Sequence, residues 1–258
     1  MIPKIIHYTW FSGDPFPEKI QNCINSWKEH LSDYEFRLWD MDAIKEIDNI
    51  YFKEALQEGV WACAADYVRL YAVYHYGGVY LDTDVLVYKS FDPLLQSKAF
   101  IGKESSVHFE GGFTAEYLSS HCYGAEKGHP FMKDGLEYFE NRHFVASNNK
   151  RYSPQLRYNR VHLPYIQAEI ARLYGYDWKP LMQDLQRCKE GLDIYPDCFF
   201  DPEKKLDDSY CKHLAVGGWR VDKSWEPTYN FKYKVTWRFL WFFKWVLRKF
   251  GYITMKLE

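Results

Sequence analysis

"WACAADYVRLYAVYHYGGVYLDTDVLVY" runs from Trp61 to Tyr88. Trp61, Ala64, Ala65, Val68, Leu70, Tyr71, Ala72 and Val73 surround the helical axis with apolar side chains. That pattern predicts a buried helix over 59–76. Gly77 and Gly78 supply its stop, because glycine enters the left-handed conformation without steric cost. "VYLDTDVLVY" then predicts a short buried strand. Two acids, Asp82 and Asp84, interrupt that apolar run. Burying a carboxylate without a partner is costly, so these flanks argue against two solvated turn acids. At a strand's carboxyl end, where α/β sheets bind ligands, both can reach into a crevice. A hard, oxygen-rich pair suits Mg2+ or Mn2+, and such an ion naturally bridges a diphosphate. The preceding helix carries Asp66 and Arg69 at i and i+3, on one face. They are either an ion pair satisfied within the core or groups that hydrogen-bond a polyol in the same crevice.

Upstream, "PKIIHYTWF" (3–11) predicts a strand and residues 18–30 a helix through Ile20, Ile24 and Trp27. "YEFRLWD" (34–40) alternates as a strand, and 41–57 reads as helical. This β-α-β-α order predicts an α/β domain with a parallel sheet. Downstream, 97–120 predicts short strands around Gly111–Gly112. A helix starts near Pro130, 142–160 is a polar loop, and 164–175 is a further helix. "LDIYPDCFF" (192–200) reads as strand or edge, and "CKHLAVGGW" (211–219) as a strand ending in glycines.

The 258 residues suffice for one large α/β domain with a full core. A 47% hydrophobic and 26% charged chain has ordinary globular composition, which excludes overall disorder. The net charge of −2 gives no global sign of nucleic-acid binding. Aromatic residues reach 19%, which fits either an aromatic core or binding of flat apolar groups. The six cysteines form no CxxC pair and read as reduced thiols. "MIPKIIHYTWF" lacks the long apolar core of a signal peptide, and no apolar run is long enough to span a membrane.

The Trp61–Tyr88 block, extended through "KSFDPLL", resembles the sugar-binding region containing the DxD motif of glycosyltransferase family 32. That family includes yeast-type initiating mannosyltransferases and bacterial capsule and lipopolysaccharide transferases. The block is also similar to the glucosylating domains of large clostridial toxins. "IPKIIHYTWF" matches the family's first strand, and "YCKHLAVGGW" resembles its closing block. The resemblance implies a GT-A, Rossmann-like α/β fold. It implies transfer of a hexose, with retention, from a nucleoside diphosphate sugar to an acceptor hydroxyl.

Carried over by position, Asp84 would ligate Mn2+ or Mg2+ directly. Asp82 would contact ribose, donor sugar or metal. Asp66 and Arg69 would grip the donor sugar, and Tyr80 would contact the donor. Trp10 would stack on the base, and His213 would be a third metal ligand or a diphosphate contact. Trp219 would add a donor contact. The family's Ser-Trp pair reads Gly218-Trp219 here, while Ser224-Trp225 follows closely and is the alternative. Where the family often has an asparagine before "GAEKGHPF", this chain has Ser120 and His121.

Residues 229–258 differ from the rest, with seven basic residues against one acid. On a helix over 234–252, Lys234, Arg238, Lys244, Arg248 and Lys249 share a side with Trp237, Trp241 and Trp245. Phe239, Phe243, Val246, Leu247 and Phe250 lie opposite. This pattern predicts an amphipathic C-terminal extension lying on an anionic membrane surface, or a helix docked on the core. Residues 1–228 are then the catalytic domain. The expected partners are a UDP- or GDP-linked sugar and a saccharide or lipid-linked saccharide acceptor. The expected setting is bacterial capsule or lipopolysaccharide synthesis on the inner face of the plasma membrane, from the cytoplasm. UDP-hexose, with galactose first, is favoured over GDP-mannose. The competing readings are a DxD-dependent phosphotransferase or hydrolase and a catalytically silent sugar- or membrane-binding module.

Overall fold

The structure is a computed structural model that describes residues 1–110, 113–177 and 184–216. Trp219, Gly218, Ser224 and the 229–258 extension lie outside the described residues. The chain opens with β1 (Ile5–Thr9), α1 (Glu18–His30), β2 (Glu35–Trp39), α2 (Ile50–Gln57) and α3 (Trp61–Tyr76). β3 (Gly78–Leu81), β4 (Val85–Val87), β5 (Ala99–Glu110) and β6 (Phe113–Ala125) follow. Then come α4 (Pro130–Glu137), α5 (Pro154–Arg157), α6 (Leu163–Leu173), β7 (Gln186–Arg187), β8 (Leu192–Tyr195), α7 (Asp197–Phe200) and β9 (Cys211–His213).

Seven strands form one sheet in the order β2-β1-β3-β6-β5-β8-β7, and β4 pairs with β9 in a separate ribbon. β1 is parallel to β2 and β3, and β5 is parallel to β8, while β6 and β7 run the other way. The expected α/β arrangement with parallel strands is therefore present, but its sheet is mixed rather than wholly parallel. The physical reason is the long β5–β6 pair, since antiparallel neighbours need no helical crossover between them.

Two hydrophobic layers enclose the sheet. Side-chain alternation in β3 divides its residues between them. Tyr80 enters the layer with Phe52, Val68, Phe131 and Ala171 from α2, α3, α4 and α6. Val79 and Leu81 enter the other layer, with Ile24 and Trp27 of α1. Burial on both faces explains the unbroken apolar run that the sequence carries there.

Helix α3 stops where expected. Gly77 and Gly78 take φ values of +69° and +103°. Gly78 also lies so close to β1 that a Cβ would sit 2.6 Å from the Ile5 carbonyl oxygen. Only glycine lets β3 turn out of α3 and pair with β1 at once. The helix expected over 41–57 is shorter than its periodicity suggests. Asp40 Oδ1 accepts from the Asp42 and Ala43 amides, holding turns there. Asn49 then caps α2 by accepting from Phe52 N.

Candidate active site

The strand expected across "VYLDTDVLVY" is in fact two strands with a turn between them. β3 ends at Leu81, β4 begins at Val85, and the Val85 amide donates to the Asp82 carbonyl at 3.0 Å. Asp82 and Asp84 stand in this turn, at the carboxyl ends of the parallel strands β1 and β3. α1 fixes the far side of the turn. Trp27 Nε1 donates to the Val85 carbonyl at 2.7 Å, and the Val87 amide donates to Ser26 Oγ at 3.0 Å. The acids are thus placed by a strand end that the core holds from both faces.

β9 brings the third group. Its antiparallel register sets His213 opposite Val85, next to Asp84. His213 Nε2 lies 3.1 Å from Asp84 Oδ1. One ligand atom from each of Asp82, Asp84 and His213 lies within 4.8 Å of the other two. Asp84 is further held by the Val216 amide, which donates to its Oδ2 at 2.9 Å. The Leu214 amide donates to its carbonyl oxygen at 3.0 Å. Burial alone would raise the Asp84 carboxyl, but His213 and the Val216 amide hold it below the usual carboxylate range. Burial acts to lower His213, and the Asp84 carboxylate outweighs it and lifts the imidazole above its ordinary value. Two carboxylates and one imidazole form a donor set suited to Mn2+ or Mg2+.

Asp82 is held by its neighbours instead. Tyr80 Oη donates to its Oδ1 at 2.9 Å, and Arg69 lies 3.2 Å from the same oxygen. Arg69 also approaches Asp82 Oδ2 at 3.4 Å, donates to the Ser120 carbonyl at 2.8 Å, and contacts Ala65 O and Asp66. Every guanidinium nitrogen therefore faces a protein acceptor. Burial pushes the Asp66 carboxyl up to about 7, even with Arg69 at 3.3 Å.

A family model described as "Glycosyltransferase sugar-binding region containing DXD motif" matches residues 17–101. That stretch holds α1, α3, the β3–β4 turn and both of its acids. Residues 17–101 are thus similar to the sugar-binding region that the sequence resemblance pointed to.

Inositol phosphoceramide mannosyltransferase 3 of Schizosaccharomyces pombe is 34% identical over 135 residues, covering 51% of this chain and 35% of that protein. Mannosyl phosphorylinositol ceramide synthase SUR1 of Saccharomyces cerevisiae is 31% identical over 141 residues, covering 53% and 34%. The chain thus spans about a third of the length of these relatives. Among solved structures, PaToxG glycosyltransferase aligns with TM-score 0.41 and 18% identity, covering 67% of this chain and 75% of that one. A glycosyltransferase involved in glycosylating the major capsid of PBCV-1 aligns with TM-score 0.42 and 11% identity, covering 82% and 93%.

Within residues 17–101 the structure gathers Asp66, Arg69, Asp82 and Asp84, and β9 adds His213 from outside that stretch. Trp10 is half-buried just past β1, its indole donating to the Asp14 carbonyl and its ring 4.9 Å from Phe16. Tyr80 is fully buried and its hydroxyl is committed to Asp82 and Thr9, so it holds Asp82 rather than facing the crevice. The structure adds His121. Its ring stacks on His213 at 4.7 Å and 17°, and its Nε2 lies 3.2 Å from the Phe200 carbonyl. Its backbone carbonyl accepts from the Asp82 amide at 2.9 Å. Position 121 stood out in the sequence only as a departure from an expected asparagine.

Proposed function

We propose that this protein is a metal-dependent, retaining glycosyltransferase that moves a hexose from a nucleoside diphosphate sugar to an acceptor hydroxyl. The convergence of Asp82, Asp84 and His213 within 4.8 Å, inside a DXD sugar-binding region, carries this reading. The same three residues would hold Mn2+ or Mg2+. The ion would neutralise the charge that develops on the departing diphosphate.

The chain's own groups divide the remaining work. Two backbone amides aim Asp84 at the site. Tyr80 and Arg69 fix both oxygens of Asp82, so it meets the donor without reorganising. Asp66, with its carboxyl near neutrality at about 7, can accept from or donate to a sugar hydroxyl. Arg69, with its nitrogens engaged by protein, orients Asp66 and Asp82. In the step itself the bond from the anomeric carbon to phosphate oxygen breaks. The acceptor oxygen bonds on the same face, and its proton passes to the departing phosphate. The transition state is oxocarbenium-like.

The names of the yeast relatives bear on the sugar. Both describe mannosyl transfer to a phosphoinositol ceramide. That favours mannose from GDP-mannose, and a lipid-borne acceptor, over the UDP-galactose and capsule or lipopolysaccharide setting favoured by the sequence. A thermal-shift panel of UDP, GDP, UDP-galactose, UDP-glucose and GDP-mannose, each with and without Mn2+, tests both parts. The expected result is a Mn2+-dependent shift with GDP and GDP-mannose that Asp84→Asn abolishes. A shift with the UDP series instead would restore the galactose reading. No shift with any of them would overturn the transferase reading.

A further inference from the structure

Residues 141–168 contain Arg142, Lys150, Arg151, Arg157 and Arg160 and not one Asp or Glu, in a chain of net charge −2. The structure shows how this cationic stretch is presented. It closes into a loop with a firm stem and an outward tip. In the stem, Val145 bridges Tyr158, the Ala146 amide donates to the Arg157 carbonyl at 2.7 Å, and the Asn159 amide donates to the Phe144 carbonyl at 2.7 Å. Phe144 and Tyr158 stack at 4.8 Å and 13°.

Glu54 of α2 and Glu58, the residue that ends it, anchor that stem. Glu54 accepts from the Val145 amide at 2.9 Å and lies 2.7 Å from His143 Nδ1. Glu58 accepts from Arg157 at 2.8 Å and from the Tyr158 hydroxyl at 2.6 Å. Arg157 is thereby turned inward, while Lys150, Arg151 and Arg160 remain exposed. Beside them the tip shows Tyr152 at 48% and Leu156 at 64% exposure, and Trp61, at the start of α3, is 41% exposed. Polar surroundings would ordinarily favour folding a leucine and a tyrosine back onto the stem. Here the anchored stem holds them out together with the cations.

We propose that the 147–156 tip docks on an anionic phospholipid bilayer, with Tyr152 and Leu156 entering the interface and Lys150 and Arg151 meeting the headgroup charge. Cations flanking exposed aromatic and aliphatic side chains match that surface in both charge and polarity, and the acid nearest Lys150 in effect, Glu58, is already engaged by Arg157 and the Tyr158 hydroxyl. The chain that leaves the stem runs close to α2 and α3. The Val161 amide donates to Tyr51 Oη at 3.1 Å, and Arg160 interacts electrostatically with the Cys63 thiol. Cys63 and Asp66 share a face of α3 at i and i+3. The docking surface does not depend on the sugar-transfer reading, nor on residues 229–258.

The test uses the full chain with sedimenting vesicles of phosphatidylcholine alone or mixed with phosphatidylserine. Hydrogen exchange is followed residue by residue over 147–156. Anionic vesicles should slow exchange across the tip. Lys150→Gln/Arg151→Gln should weaken partitioning roughly 30-fold, at about fivefold per cation removed. Leu156→Ser should weaken it further, and the melting temperature should not move. Unchanged exchange at the tip, equal binding to neutral vesicles, or unaltered partitioning of the double variant would each overturn the proposal. Displacement by soluble glycerophosphoserine would also overturn it, because the site would then take a phosphate rather than a bilayer.

Discussion

Arg69 is the residue whose loss the fold tolerates least around the candidate site, and the partner that matters most to it is Asp82 rather than Asp66. Arg69 is buried, and its guanidinium approaches Asp82 through two nitrogens, at 3.2 and 3.4 Å, but Asp66 through one, at 3.3 Å. Asp66 already titrates at about 7, so near neutral pH it loses its charge at little cost if its cation is removed. Asp82 and the Ser120 carbonyl would each lose a buried donor that Arg69 supplies. Arg69→Met keeps the length of the side chain and removes only its charge and donors. Breaking a buried pair in this way should cost about 3–5 kcal/mol. Asp66→Asn, which replaces a half-neutral acid by a neutral isostere, should cost on the order of 1 kcal/mol or less.

Double-mutant cycles should then give Arg69–Asp82 a coupling of about 1–3 kcal/mol and Arg69–Asp66 less than half of that. Urea unfolding near neutral pH, followed by tryptophan fluorescence and far-ultraviolet circular dichroism, measures both cycles. Two results would refute the reasoning. One is an Arg69→Met protein within about 1 kcal/mol of the parent. The other is a larger coupling to Asp66 than to Asp82.

The remaining expectations are sharper individually. Asp84→Asn should abolish Mn2+-dependent sugar transfer, read in a transfer assay, while leaving the circular dichroism spectrum unchanged. His7 is buried and neutral, its Nδ1 accepting from Trp39 at 3.1 Å and its Nε2 donating to the Gly77 carbonyl at 2.8 Å. Burial holds its imidazole down at about 4. Its contribution is present above the unfolded value of about 6.5 and is lost as pH falls toward the folded value, reaching about 2 kcal/mol by roughly pH 5. His7→Gln should flatten that part of the acid limb in urea titrations. Gly78→Ala, with φ at +103° and its Cβ 2.6 Å from Ile5 O, should cost about 3 kcal/mol or more. Gly128→Ala, at φ +76° in open space, should cost only about 1–2 kcal/mol, so the difference isolates the clash with β1.

Local chemistry was legible in the sequence and long-range pairing was not. The buried α3, its glycine stop and the metal-like acid pair all follow from side-chain type over adjacent positions, and the structure holds each of them. The parallel part of the sheet follows from alternating strands and helices. The reversed strands did not show, because β6 lies between β3 and β5 through pairings such as Leu81 with Cys122, which no local period encodes. Arg69 reads from the sequence as the partner of Asp66, three residues away. Only the tertiary fold brings Asp82 and Ser120 to the same guanidinium.

The same limit explains why His213 was visible only through resemblance. A lone histidine in a three-residue strand carries no local signal of its own. His213 reaches Asp84 because β9 pairs with β4, and β4 can accept that partner because the chain turns out of the main sheet at Asp82. Had β3 continued through Val87 as one strand, alternation would have sent Asp82 and Asp84 to a single face of a sheet buried on both sides. Neither would then have an outlet except by losing its charge. The turn resolves that conflict. It ends the sheet, exposes 24% of the Asp82 side chain and 13% of Asp84, and frees the edge of β4 for the strand that carries His213. The apolar residues around the acids are therefore the cause of the site, since they oblige the chain to turn where the acids stand.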